Sequence, residues 1–360
     1  MMPAFLSPGS APLSCPPAAP VHAWMPSSPC GPDCVEATAE SGTLRVAGRI
    51  LSFAAVLSTF PAAYLATPRR RRPAVQRRYA RTLLSCCGIR VRVVDRRGDG
   101  PVRVEYDAVT GEPRTDTATR IEDGHVGRGL LVVADHVGWT DIVVLSAVQP
   151  MGFVARADLV NWPLLGDVAR LVRVIPIERE NLRTLPAVVK TMVERLKSGE
   201  RVGVFPEGTT WCGRGRGRMR PALFQAAMDA EVPVQPIRVR YLDRAGELST
   251  VPGFVGTDTL MDSIRRVLRS RGVVAEVVLQ PLELPGTDRR DLALRCERAL
   301  HDDHPNQAIA AGLIHELQAE LAQAQSPAAQ PTAVKPTVAH DAPVRRPEAV
   351  APAAMSVAYS

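Results

Sequence analysis

Short apolar runs alternate with amphipathic stretches along residues 83–324. Strand-like runs lie at 90–95, 129–136, 152–160, 174–177, 201–205, 232–242 and 273–284, and helical periods lie at 141–149, 164–172, 182–199, 221–231, 288–301 and 307–323. Runs rich in Val and Leu are typical of buried strands in parallel sheets. The alternation predicts an α/β fold with a mainly parallel sheet flanked by helices. Residues 98–128, which are polar and Gly-rich, predict a loop or an irregular hairpin.

An apolar segment of 17 residues, 50–66, precedes this region. As a helix it would reach about 26 Å, which is marginal for the roughly 20 residues of a membrane span, and Pro61 would kink it. Eleven arginines follow between residues 69 and 97, and the acids up to residue 99 are only two, Asp95 and Asp99. Basic flanks favour the cytoplasmic face and anionic headgroups. Residues 43–82 are therefore predicted to anchor the chain to the cytoplasmic face of the cell membrane, as one span or within one leaflet. A buried helix followed by a solvated basic loop remains an alternative.

The two ends of the chain differ from the middle. Residues 1–42 and 325–360 are rich in Pro and Ala, which predicts a disordered extension and a disordered tail, with a folded domain at 83–324. The net charge of +7 implies anionic partners. Aromatic residues make up only 4% of the chain and no nucleic-acid recognition motif occurs, which argues against nucleic acid as the partner. Seven cysteines, an odd number without a C-x-x-C pair, predict reduced cytoplasmic thiols.

Two polar constellations follow predicted strands. His136 and Asp141 enclose a turn after the run 129–136, and Phe205-Pro206-Glu207-Gly208-Thr209-Thr210 follows the run 201–205. Ligands of open α/β sheets bind at the carboxyl ends of the strands. A carboxylate on one imidazole nitrogen fixes the tautomer, so the other nitrogen can accept a proton from a hydroxyl. The pattern therefore predicts a catalytic His136/Asp141 pair, although a loop histidine beside an ordinary helix aspartate would look the same.

Arginines supply candidate anion contacts. Arg179 ends the strand 174–177, and Arg214, Arg216, Arg218 and Arg220 follow the second constellation. Guanidinium groups match phosphate oxygens well. A surface Glu/Arg pair and a solvated basic loop are the alternatives.

Taken in order, these blocks resemble the 1-acylglycerol-3-phosphate acyltransferase family of glycerolipid acyltransferases. The resemblance rests on His136/Asp141, Arg179, Phe205 to Thr209 and Val232 to Pro236, over about residues 75–245. It implies that His136 deprotonates a lysophospholipid hydroxyl, that Asp141 orients His136, and that the alkoxide attacks acyl-CoA or acyl carrier protein to give phosphatidic acid. Glu207, Gly208 and Thr209 would shape the acceptor site, and Arg179, with Arg214 and Arg216, would contact the headgroup. No cofactor and no metal are implied.

The chain departs from the family pattern at several positions. Asp135 stands where the family usually has Asn, and Arg173, Pro176 and Glu178 replace its usual second block. Thr210, with the loop and helix that follow, looks like the branch that acylates lyso-ornithine lipids. Two further alternatives are an inactive membrane adaptor and a metal site at His301-Asp-Asp-His304. The absence of a P-loop and of G-x-G-x-x-G argues against nucleotide-binding enzymes. The oligomeric state stays open.

Overall fold

One mixed sheet organises the part of the chain that the computed structural model describes, namely residues 25–26, 28, 30–36, 40–98, 102–105, 129–162 and 165–301. Its strand order is β2-β1-β8-β7-β3-β6-β4-β5. The strands are β1 Ile89–Asp95, β2 Val102–Glu105, β3 Leu130–Ala134, β4 Gly152–Arg156, β5 Ile175–Ile177, β6 Arg201–Val204, β7 Val234–Leu242 and β8 Val273–Leu279. All neighbours run parallel except β1/β2 and β7/β8. The prediction of a mainly parallel sheet is confirmed.

Helices cover both faces of the sheet. They are α1 Thr43–Ala66, α2 Arg72–Cys87, α3 Trp139–Val148, α4 Leu165–Leu171, α5 Leu185–Lys197, α6 Gln225–Ala230, α7 Leu260–Arg269 and α8 Arg289–His301. Helices α2, α3 and α7 pack on one core, and α5, α6 and α8 on the other. Strand β3 contributes side chains to both cores, because Leu130 and Val132 face the first whereas Leu131 and Val133 face the second. This two-sided burial explains the uninterrupted apolar run of β3.

Helix α1 is longer than the apolar run that predicted it. It spans 24 residues, and by length and composition it is the one described helix able to cross a membrane, with only 6% of its apolar window buried. One side packs on the domain, through Phe53 against Trp139 and Phe60 against Tyr79. On the other side, a stripe of Leu44, Leu51 and Leu65 is 90%, 72% and 60% exposed.

The sequence prediction missed two helices and leaves some predictions untested. Helices α2 and α7 were not predicted, and the segments 182–184 and 221–224 are 3-10 turns that precede α5 and α6. Most of residues 98–128, the predicted helix 307–323 and the C-terminal tail lie outside the described residues. The chain divides into two units, Met1–Ala319 and Glu320–Ser360, and every described residue lies in the first. The domain limits at 42, 82 and 324 stay predictions.

Candidate active site

His136 and Asp141 meet at the carboxyl edge of the sheet. His136 follows β3 by two residues, and Asp141 lies in the first turn of α3. The distance from His136 Nδ1 to Asp141 Oδ2 is 2.9 Å. An ionised Asp141 accepts the proton of Nδ1–H, which makes Nε2 the basic nitrogen. The His136 side chain keeps 12% of its surface exposed, whereas that of Asp141 is fully buried. The pair therefore presents one base to the edge of the domain.

The Asp141 carboxylate is held from several directions. Its Oδ2 also accepts the backbone N–H groups of Val137 at 2.7 Å and Gly138 at 2.9 Å. Its Oδ1 accepts the hydroxyl of Tyr241 at 2.7 Å. Tyr241 was not predicted as a site residue, because the alternation of apolar and polar residues in the run 232–242 indicates only a strand. These bonds fix the position from which Asp141 orients His136.

Gly138 is needed for space rather than for bending. Its φ of 179° is extended backbone that any residue adopts. A Cβ at this position would lie 2.5 Å from the carbonyl oxygen of Pro252. Only glycine allows the loop that contains Pro252 to approach the turn between His136 and Asp141.

Glu207 ties the second constellation to the first. Its Oε2 accepts the backbone N–H of His136 at 2.9 Å, and its Oε1 accepts the N–H of Gly217 at 2.8 Å. Burial raises the pKa of Glu207 well above its usual range, and the nearby carboxyl of Asp135 adds to this. Because Glu207 is only 4% exposed, it supports the backbone at His136 from inside the domain, and its part in an acceptor site stays a prediction.

The rest of the 205–211 loop surrounds the imidazole. The Phe205 ring stacks on the His136 ring with 4.0 Å between centroids. Trp211 donates its backbone N–H to the His136 carbonyl oxygen at 2.8 Å. Gly208 has a φ of 78°, in the left-handed region that favours glycine. Thr209 lies half-buried in the same turn. The loop therefore fixes both the ring and the backbone of His136.

A buried charged cluster lies behind this loop. Asp135 Oδ1 is 3.5 Å from His301 Nε2. Burial raises the pKa of Asp135 to about 7, although Arg216 and Arg238 oppose this shift. Burial also lowers the pKa of His301 to about 2, which keeps its ring neutral. His301 is thus a buried partner of Asp135 and not an exposed metal ligand; Asp302, Asp303 and His304 lie outside the described residues.

The three predicted arginines occupy different places. The charge of Arg216 interacts with the carboxyl groups of Asp135, Glu297 and Glu207, and Arg214 contacts Glu36. Arg179 follows β5, three strands from β3, so about 14 Å separates it laterally from His136. Burial lowers the pKa of Arg179, and neighbouring Arg156 adds to the shift. The binding roles of all three arginines stay predictions.

Known proteins are similar to this chain over the same region. A family model described as Acyltransferase matches residues 113–240. The lyso-ornithine lipid O-acyltransferase of Brucella abortus is 34% identical over 190 residues, covering 48% of this chain and 70% of that protein. The Pseudomonas aeruginosa protein of the same name is 34% identical over 172 residues, covering 48% and 66%. A 1-acyl-sn-glycerol-3-phosphate acyltransferase of Neisseria meningitidis is 36% identical over 135 residues, covering 37% and 53%.

A solved structure, the 1-acyl-sn-glycerophosphate acyltransferase of Thermotoga maritima, aligns with a TM-score of 0.49 at 14% identity, covering 72% of this chain and 96% of that chain. The chain spans 66% of the Pseudomonas relative and 53% of the Neisseria relative.

Proposed function

This chain belongs to the 1-acylglycerol-3-phosphate acyltransferase family of glycerolipid acyltransferases, and from this premise we propose that it transfers an acyl group from a thioester to the free hydroxyl of 1-acylglycerol-3-phosphate, giving phosphatidic acid. The observation that carries the proposal is the 2.9 Å contact between His136 Nδ1 and Asp141 Oδ2 at the carboxyl edge of the sheet. A single oriented base at a ligand-binding edge suits the activation of a hydroxyl.

The reaction follows from this pair. Nε2 of His136 removes the proton of the lysolipid hydroxyl, and the oxygen attacks the thioester carbonyl carbon. The new ester bond forms as the carbon–sulfur bond breaks, and the thiolate leaves and takes up the proton from the imidazolium. Asp141 stabilises that imidazolium while it is charged. Acyl-CoA or acyl carrier protein would supply the thioester, and the chain's own residues provide base, orientation and shape.

Two guanidinium groups favour a phosphate-bearing acceptor. Arg156 lies close enough to Arg179 to disfavour the charge of Arg179, and Arg156 also pairs with Asp158. A dianionic phosphate bound at the ends of β4 and β5 would offset the repulsion between these two positive charges. Guanidinium groups also match the geometry of phosphate oxygens well. The estimated lateral separation from His136, about 14 Å, leaves room for a glycerol backbone and its substituents.

A lyso-ornithine lipid is the second candidate acceptor. It is favoured by the Brucella relative, of which this chain covers 70%. The catalytic chemistry would be the same, since that acceptor also offers a hydroxyl, but its headgroup carries an amine and a carboxylate in place of a phosphate. The two acceptors therefore differ in how strongly they should depend on Arg179.

Helix α1 would place this site at a lipid surface. Its packed side contacts the domain from Arg49, which donates to Leu268 and Ser270 carbonyls, to Phe60. Contacts along this length favour a helix that lies in one leaflet, with the leucine stripe in lipid, over a span perpendicular to the membrane. The arginine block that follows α1 favours the cytoplasmic face.

An assay of the full chain with both acceptors tests the proposal. Thiol release from acyl-CoA or from acyl carrier protein is measured with 1-acylglycerol-3-phosphate and with a lyso-ornithine lipid in separate reactions. We expect acceptor-dependent release that His136→Ala abolishes. Release only with the ornithine acceptor would select the second candidate. Binding to lipid without any release would instead indicate a membrane adaptor.

Arg179→Ala separates the headgroups in the same assay. We expect it to raise the KM for the phosphate acceptor, whereas Arg183→Ala, an exposed arginine on the neighbouring 3-10 turn, should leave that KM unchanged. An equal effect of both variants would remove Arg179 from acceptor binding.

A further inference from the structure

Three cysteine sulfurs converge at one point away from the catalytic pair. The Sγ atoms of Cys30, Cys34 and Cys212 all lie within 4.8 Å of one another. The backbone N–H of Cys212 donates to Cys30 Sγ at 3.4 Å. Cys30 and Cys212 are buried and Cys34 is half-buried. In the sequence, 182 positions separate Cys30 from Cys212, so no local motif indicated their meeting.

Local structure explains how the three thiols come together. Residues Pro32–Cys34 form a 3-10 turn that folds Cys34 back towards Cys30. Cys212 lies in the loop that follows the Phe205–Thr210 block. A small apolar cluster of Trp211 and Val255 surrounds the sulfurs and is separate from the two main cores. The thiols therefore lie in a dry environment with one side open to solvent through Cys34.

We infer that Cys30, Cys34 and Cys212 bind a thiophilic divalent metal ion of the zinc class. Zinc binds thiolate sulfur at about 2.3 Å, so sulfurs around a tetrahedral ion lie roughly 3.8 Å apart. The observed cluster needs to contract by no more than about 1 Å to reach that geometry. Each thiol gives its proton to solvent as its sulfur binds, because a coordinating thiol is deprotonated by the ion. The fourth position is left for a ligand other than these three.

Three reduced sulfurs favour a metal over a disulfide. A disulfide would join two of them and leave the third buried without a role. Every cysteine among the described residues is a free thiol, including Cys86, Cys87 and Cys296. The backbone N–H that points at Cys30 Sγ is also the kind of donor that stabilises a bound thiolate.

The ion would fasten the N-terminal segment to the loop that supports His136. The two segments already touch where Arg214 contacts Glu36. The backbone N–H of Glu36 also donates to Thr250 Oγ1 at 2.9 Å, which ties the N-terminal segment to the loop between β7 and α7. Pro26 lies against Gly208, where a Cβ would approach its ring to 2.6 Å. Metal binding would therefore stabilise the loop that contains Glu207 without taking part in acyl transfer.

Metal analysis of the full chain tests this inference independently of activity. The protein is purified under reducing conditions without chelators, reconstituted with Zn²⁺, dialysed, and its zinc content is measured by mass spectrometry. We expect close to one zinc per chain. Replacement of zinc by Co²⁺ should give the sulfur-to-cobalt charge-transfer absorption of thiolate ligands. Cys34→Ser and Cys212→Ser should lose most of the zinc and the absorption, and Cys86→Ser, which lies on α2 outside the cluster, should keep both.

Each other outcome would overturn the inference. Unaltered protein without bound zinc after reconstitution would exclude the site, and this measurement needs no variant to fold. A Cys30–Cys212 disulfide in protein kept under reducing conditions, found by peptide mass, would show that the sulfurs serve as a covalent link instead. Zinc that persists in folded Cys34→Ser and Cys212→Ser would place the metal elsewhere.

Discussion

Tyr241 holds Asp141 on the oxygen that His136 does not use. Its hydroxyl donates to Oδ1 at 2.7 Å, while Oδ2 faces the imidazole. Strand β7 reaches this point because it continues past its last pairing with β3, at Ala134 and Ile237. Burial raises the pKa of Tyr241 well above its usual range, so the hydroxyl stays a donor. The second oxygen of the carboxylate is thereby held in a fixed direction.

Tyr241→Phe should slow the reaction without weakening substrate binding. The variant removes one hydrogen bond to a charged group, worth roughly 1.5 kcal/mol, which corresponds to about a tenfold lower kcat. The KM values for acceptor and donor should stay the same, because Tyr241 touches neither. Steady-state kinetics provide the measurement. Tyr79→Phe, whose hydroxyl lies at an exposed position, is the control, and an unchanged kcat in Tyr241→Phe would show that this bond does not position Asp141.

Asp141→Asn should have a much larger effect on turnover. The backbone N–H groups of Val137 and Gly138 keep the amide oxygen towards Nδ1, so the variant loses the negative charge that stabilises the imidazolium and strengthens the base. In other enzymes with a carboxylate-oriented histidine, the equivalent change lowers kcat by about 10⁴-fold, and a loss on the order of 10³ or more is expected here. Donor affinity, measured by direct binding, should change little. Retention of full turnover would mean that His136 is oriented by other groups, and Asp229→Asn, an exposed aspartate, controls for the loss of a carboxylate.

The site was predictable where a short motif follows a buried strand. His136, Asp141 and Glu207 were placed at one edge because parallel strands end at the same side of a sheet, and the structure brings all three together. The detailed role of Glu207 was not accessible, because its bonds go to the backbone N–H groups of His136 and Gly217. A backbone N–H group is present in almost every residue, so the sequence does not indicate which one a carboxylate will bind.

Long-range relationships account for most of what the sequence did not indicate. Tyr241 lies 100 positions from Asp141, and the antiparallel pairing of β7 with β8 depends on contacts between distant strands. Helix α7 was missed although Leu260, Ile264 and Val267 follow a helical period and Thr259 and Asp262 form a capping box at its start. That box was the signal that could have identified the helix.

Asp135→Asn should change how stability depends on pH. In the unfolded chain Asp135 loses its proton near its ordinary pKa of 3.8, but in the folded protein burial raises that pKa to about 7. Asp135 therefore destabilises the fold increasingly between about pH 4 and 7, and by a constant amount above this range. Asparagine carries no such proton. The free energy of unfolding of the variant minus that of the unaltered protein should rise by up to about 1.4 kcal/mol per pH unit in this window.

Chemical denaturation at several pH values measures this difference. Titration of His301 and Glu207 contributes to both proteins, so the subtraction removes most of their effect. Asp229→Asn, at an exposed aspartate, is measured in the same way as the control for the loss of a carboxylate. A difference that falls as the pH rises would mean that Asp135 is stabilised in its ionised form by Arg216 and Arg238.

Charges on the outer stripe of α1 should weaken membrane binding. Leu51 and Leu65 are 72% and 60% exposed and lie 14 positions apart, close to four helical turns, so they share one side of the helix. Each buried leucine contributes about 1.5–3 kcal/mol. The double variant Leu51→Glu with Leu65→Glu should therefore lower partitioning to vesicles by at least about a hundredfold. Sedimentation with vesicles containing anionic phospholipid measures it. Leu294→Glu, on α8 and 57% exposed, is the control, and equal binding of all three proteins would place the lipid contact on another surface.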